Sequence, residues 1–159
     1  MIRIRVSQFI NRPVAEVFQL AGNFQYDALW RAGVVAIQAQ GGGLPFPGMQ
    51  VQEALSFMGT SLITKMELEA VEPNRRLAFR TLDSGMPFSG QRLFEPQGEG
   101  TRLTYELTLQ PTGIYQLLPA LTEELFTQHL KDSLTGLKRR LEGRVVRRVF
   151  PLVGEPVIG

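Results

Sequence analysis

A chain of 159 residues with 43% hydrophobic and 20% charged positions has the length of one domain and the balance of a globular protein, which excludes wholesale disorder. Its net charge of +2 is too small to argue for nucleic acid, and the absence of cysteine excludes disulfides, thiolate metal centres and a cysteine nucleophile. MIRIRVSQFI lacks the apolar core of a signal peptide and no run approaches the ~20 apolar residues of a membrane span, so a cytoplasmic protein is expected.

In chain order, Ile2, Ile4, Val6, Gln8 and Ile10 alternate with polar neighbours, the period of a half-buried strand. Asn11 offers a capping side chain, Pro13 suits an early helical position, and Val14, Val17, Phe18 and Ala21 follow at helical spacing. Gly22-Asn23 stops that helix, and NFQYDALW is a second short helix or turn ending in Trp30, the only tryptophan.

From residue 34 to about 110 the pattern is strand after strand. Val35, Ile37 and Ala39 form a face before the loop GGGLPFPG. MQVQEALSFMG, TSLITKMELEAVEP, RRLAFRTL, MPFSGQRLFEP and TRLTYELTLQP follow, separated by hairpin-length turns, which predicts an antiparallel meander. Thr112 to Glu142 reads as the long helix. It carries two apolar stripes: Phe126, Leu130, Leu134, Leu137 and Leu141, and, well displaced, Ile114, Leu117, Leu118, Leu121 and Leu125. Either Pro119 breaks the helix near its start, or its first half is buried on several sides. The tail from 144 to 159 has two prolines and two glycines and is expected to hold little regular structure.

The order and wording of these segments resemble the START-like, helix-grip superfamily, and within it the polyketide cyclase/dehydratase and lipid-transport (SRPBCC) group. NRPVAEVFQLAGNFQYDALWRAGV is similar to that group's opening, VEPNRRLAFR to its mid-sheet strand pair, GEGTRLTYELTLQPTG to its last strand, and LTGLKRRLE to its C-terminal helix. Asn23 stands where the group often has aspartate, and Ala28 and Ala32 where it often has proline. The resemblance implies an α+β fold over residues 1–143: about seven curved antiparallel strands around a long C-terminal helix, two short helices after the first strand, and an apolar cavity between sheet and helix. It also implies a hydrophobic ligand such as a lipid, quinone or polyketide, with cyclase or dehydratase chemistry in a minority of members.

Chemistry-bearing residues are few. His129 has no second histidine or cysteine with which to share a metal, so neither metal nor cofactor is expected. GGGLPFPG lacks the Lys-Ser/Thr of a phosphate loop. Glu53 interrupts the apolar stripe Met49, Val51, Leu55, Phe57, and Arg92 interrupts Met86, Phe88, Gly90, Phe94. A charge on an apolar face is costly unless paired, so the two either pair with each other, hold a ligand head group, or escape to solvent at a bulge. The inward candidates for ligand contact are Trp30, Glu53, Phe57, Met66, Phe79, Phe88, Arg92, Tyr105, Phe126 and His129.

Three functions stay open: a binder or carrier of a hydrophobic small molecule, an enzyme of the cyclase/dehydratase kind using Glu53, Arg92, Tyr105 or His129, and a co-chaperone-like interaction module. The basic run Lys138, Arg139, Arg140, Arg144, Arg147 and Arg148 suits a helix C-terminus. Contact with an anionic membrane, or a homodimer through Val145, Val146, Val149, Phe150 and Leu152, are its alternatives.

Overall fold

The computed structural model describes residues 1–149, with side chains described through residue 143. Nine residues of β1 (Ile2–Ile10) lead into α1 (Val14–Ala21) and a short 3-10 helix (Phe24–Leu29). Six strands follow: β2 (Val34–Ala39), β3 (Gln50–Phe57), β4 (Thr60–Glu72), β5 (Arg76–Ser84), β6 (Phe88–Gln97) and β7 (Gly100–Leu109). A single turn, α2 (Ile114–Leu117), precedes α3 (Pro119–Val149).

The seven strands form one antiparallel sheet in the order β1-β7-β6-β5-β4-β3-β2. Each hairpin pairs consecutive strands from β2 to β7, and β1 closes onto β7. Register shifts in β2 and β4 put extra residues into those strands, which bends the sheet into a grip. Both edges are covered, β1 by α3 and β2 by the 3-10 helix. This is the predicted helix-grip architecture, down to the strand number.

The period-two faces fall as read. Ile2, Ile4, Val6 and Ile10 are buried on β1; Leu103, Tyr105, Leu107 and Leu109 are buried on β7. The stripe Phe126, Leu130, Leu134, Leu137 and Leu141 of α3 is buried against them, each side chain contributing about 1.5–3 kcal/mol by leaving water.

Three local readings are corrected and one pair of alternatives is decided. Asn11 does not cap α1: Pro13 holds that position with no side-chain cap, and the Asn11 N–H donates to Glu142 at 2.8 Å. Val35 is exposed, not part of a buried face with Ile37 and Ala39, because the bulge between Val34 and Ala36 inverts the phase and turns Val34 inward. Pro119 does start a new helix, and the first apolar stripe is not buried on several sides: Ile114, Leu117, Leu118 and Leu121 are exposed. The helix also continues to Val149, past the point where the tail was expected to lose structure. The side chains of Arg144, Val145, Val146, Arg147, Arg148 and Val149, and all of Phe150 and Leu152, lie outside the described residues.

Candidate functional site

The two charges that interrupt the apolar stripes are both buried. They do not pair with each other, as the strand phases allowed; two residues from the aromatic turn stand between them. Glu53 accepts two hydrogen bonds from Arg31, at 2.7 and 3.3 Å. Arg31 also donates to Asp27 at 2.9 Å. Asp27 in turn accepts two bonds from Arg92, the longer of 3.0 Å. Arg92 donates further to the carbonyl of Ala21 at 2.9 Å and to the Tyr105 hydroxyl at 3.2 Å. The result is a buried chain, Glu53–Arg31–Asp27–Arg92–Tyr105, that ties β3, the 3-10 helix, β6 and β7 together.

Local structure explains how the turn delivers both new residues. The Asn23 side chain accepts from the Gln25 N–H at 3.0 Å and starts the 3-10 helix, so it caps where the resemblance pointed to an aspartate. Asp27 and Arg31 lie four apart, and the Arg31 N–H closes back onto the Asp27 carbonyl at 2.8 Å, stacking the two side chains on one side of the turn. Gly33 then leads into β2 with φ of +77°, where a Cβ would sit 2.4 Å from the Ser56 carbonyl, so the chain can approach β3 only as glycine.

Arg92 is also boxed by rings. Its guanidinium carbon lies 4.3 Å from the centroid of Phe24 and 4.9 Å from those of Trp30 and Tyr105. Burial opposes the charge of both arginines. The attraction of Glu53 for Arg31, and of Asp27 for Arg92, outweighs it, so both pKa values are raised and both groups stay protonated.

His129, on α3, is half-buried and meets the edge of Phe57 at 5.4 Å. Burial, reinforced by the nearby Arg31 charge, lowers its pKa to about 4, so the imidazole is neutral at pH 7. Four buried nitrogens have no hydrogen-bond partner among the described residues: Trp30 Nε1, Arg31 Nε, Arg92 Nε and His129 Nε2.

The other residues singled out from sequence also point inward. Phe57 stacks on Phe126 at 4.5 Å; Phe79 packs edge-on against Phe24, Phe88 and Tyr105; Met66 is buried. Trp30 is core, 5% exposed. Asp27 and Arg31 escaped sequence reading because they sit in a turn without strand or helix period; their spacing of four was the one available signal. No group of three or more metal-ligating side chains occurs among the described residues.

The sequence profile of polyketide cyclase/dehydrase and lipid transport proteins matches residues 1–142. The chain belongs to that family. No curated protein is similar enough in sequence to count as a relative. Among solved structures, a protein from Thermus thermophilus superposes with a TM-score of 0.78 at 22% identity, covering 89% of this chain and 98% of that one. A START superfamily protein from Mycobacterium smegmatis gives 0.74 at 12% identity, with 89% and 98% covered. Ginseng major latex-like protein 151 from Panax ginseng gives 0.66 at 14% identity, with 89% and 95% covered. These structures share the helix-grip fold. Among the described residues no helix is long and apolar enough to cross a membrane.

Proposed function

We propose that this member of the family binds an apolar small molecule between the sheet and α3, as a carrier or store. The observation that supports this most is uneven burial on the inner face. Leu62, Phe88, Tyr115, Leu125 and His129 point inward yet are only partly buried, whereas the residues deeper along the same strands are nearly inaccessible. All five belong to the end of the grip where α2, the β3–β4 hairpin and the β5–β6 hairpin meet. The Thr112 hydroxyl donates to the Gly85 carbonyl there at 2.6 Å, and Phe126 stacks on Phe57. An apolar lining that narrows onto a few polar groups is the usual form of a small-molecule site, and each Å² of ligand surface removed from water contributes roughly 25 cal/mol.

Within that reading Trp30, Phe57, Met66, Phe79, Phe88, Tyr105 and Phe126 supply wall, and Glu53, Arg92 and His129, with Asp27 and Arg31, supply polarity. Native mass spectrometry of protein purified from cells without organic solvent tests it: a co-purifying small molecule, released on denaturation, is expected. A bare polypeptide mass, together with no uptake of the neutral dye Nile red, would sink the reading. Catalysis in the same place would run through His129, since Glu53 and Tyr105 are engaged by arginines. Turnover of a polyketide-like substrate that disappears in His129→Ala is the result that favours an enzyme.

A further inference from the structure

The junction of α2 and α3 carries an apolar rim. Ile114, Leu117, Leu118 and Leu121 are all exposed, the first two by 65% and 77%. Met58 joins them from the tip of the β3–β4 hairpin. It is exposed and follows Phe57, whose ring stacks on Phe126, where Tyr115 of α2 also packs. Grouped exposed side chains of this kind mark a contact surface, whereas scattered ones do not. Glu123 and Glu124 stand beside the rim, and residues 110–128 hold no lysine or arginine. Two such rims brought together would set like charges against each other, and an anionic lipid surface would be repelled. The occupant that fits is apolar and basic.

The segment RVVRRVFPL, residues 144 to 152 of this chain, has that composition. It cannot serve its own copy. α3 is 31 residues long, so its ends lie about 45 Å apart, whereas the ten residues after Val149 span at most ~36 Å when fully extended. The outer strip of α3 gives the alignment of a second copy. Glu124, Gln128, Lys131, Asp132, Thr135 and Arg139 fall within about 100° of the helical wheel, and all but the half-buried Thr135 are exposed. Reversed, the strip complements itself. An antiparallel second copy sets Glu124 opposite Arg139 and Lys131 opposite Asp132 in one register. The helix dipole does not account for this pattern, since the first turn holds no acid and Arg139 lies almost three turns before Val149. In the same register Leu118 of one copy falls opposite Val145 of the other.

We infer that the chain forms a two-fold dimer through antiparallel α3 helices, in which the segment from Arg144 onward of each copy covers the apolar rim of the other. The contact does not depend on what fills the grip. It is small and edged by exposed charge, so a dissociation constant of roughly 10–100 µM is expected, weakening as salt is added. At about 1 µM and below, the chain is then monomeric.

Sedimentation velocity on the intact chain in low salt, from about 1 to 300 µM, reads the dimer directly. Glu124→Arg and Arg139→Glu should each weaken it about tenfold or more, and the double variant, which exchanges the two charges, should restore it. Both positions are exposed, so neither change threatens the fold. Because the chain has no cysteine, Leu118→Cys and Val145→Cys chains can be mixed and oxidised. A covalent mixed dimer is expected, with neither chain cross-linking to itself. A monomer at every concentration overturns the inference, and so does a dimer indifferent to the charge exchange. A Leu118→Cys chain that cross-links to itself would place rim against rim, and overturns it as well.

Discussion

Arg92 shows at the scale of one residue how the interior tolerates charge. Fully buried, it is kept ionised by Asp27, which is itself inaccessible. Removing one partner leaves an uncompensated buried charge, so Asp27→Leu is expected to cost about 3–5 kcal/mol in urea denaturation. The double variant Asp27→Leu/Arg92→Met removes both charges, leaves Arg31 paired with Glu53, and should return to within about 2 kcal/mol of the parent. A double variant no better than the single would show that the pair acts mainly through Arg92's contacts with Ala21 and Tyr105. His129 yields a pH prediction. Its pKa falls from the usual 6.5 to about 4 in the folded state, so the unfolded chain binds more protons between those values. The contribution of the neutral ring is fully present above pH 6.5, is lost as pH falls toward 4, and amounts to about 3 kcal/mol. A His129→Gln variant should therefore show a flatter stability profile across that window, measured against wild type in parallel urea titrations.

Contact between elements turns on two glycines of α3. At Gly136 a Cβ would lie 2.7 Å from the Trp30 carbonyl oxygen, a backbone atom of the segment that carries the site. At Gly143 a Cβ meets nothing within 4 Å among the described residues. Helix propensity alone favours alanine at both by up to about 1 kcal/mol. Gly136→Ala should nonetheless lower the melting temperature, since pushing α3 off the aromatic turn costs about 1–3 kcal/mol, while Gly143→Ala should raise it. The two share one helix and one substitution, so opposite signs in a thermal melt isolate the close approach. The same turn marks where sequence reading stopped. Glu53 and Arg92 stood out because each broke a strict alternation on a strand. Asp27 and Arg31 broke no pattern, since a six-residue 3-10 helix has no extended apolar face to interrupt.

Across the whole molecule, the two ends of the grip differ in how α3 is held. The far end of α3 is clamped: Lys138 donates to the Phe9 carbonyl and to Glu142, each at 2.8 Å, and Arg140 donates to the Leu29 carbonyl at 2.9 Å. Lys138 and Arg140 thus hold the helix to β1 and the aromatic turn. At the near end Leu117 and Leu121 are exposed around partly buried inward residues. Leu117→Lys and Leu121→Lys should shift unfolding free energy by no more than about 0.5 kcal/mol. On the proposed function they should slow Nile red uptake in stopped flow, whereas Arg139→Ala, at an exposed position on the clamped end, should leave the rate unaltered.

By itself the sequence determined the element order, the seven strands, the buried stripe of α3 and the inward set from Glu53 to His129. These follow from periods of two and 3.6 against one core, which any single chain displays. Tertiary structure alone decided which charges meet. Pairing depends on the turn that folds Asp27 and Arg31 between two strands 39 residues apart in sequence, at Glu53 and Arg92. It also decided which of two apolar stripes is covered, because covering a helix face requires a partner surface. The sheet faces the stripe of Phe126 and Leu141, and stops short of the one at Leu117 and Leu121.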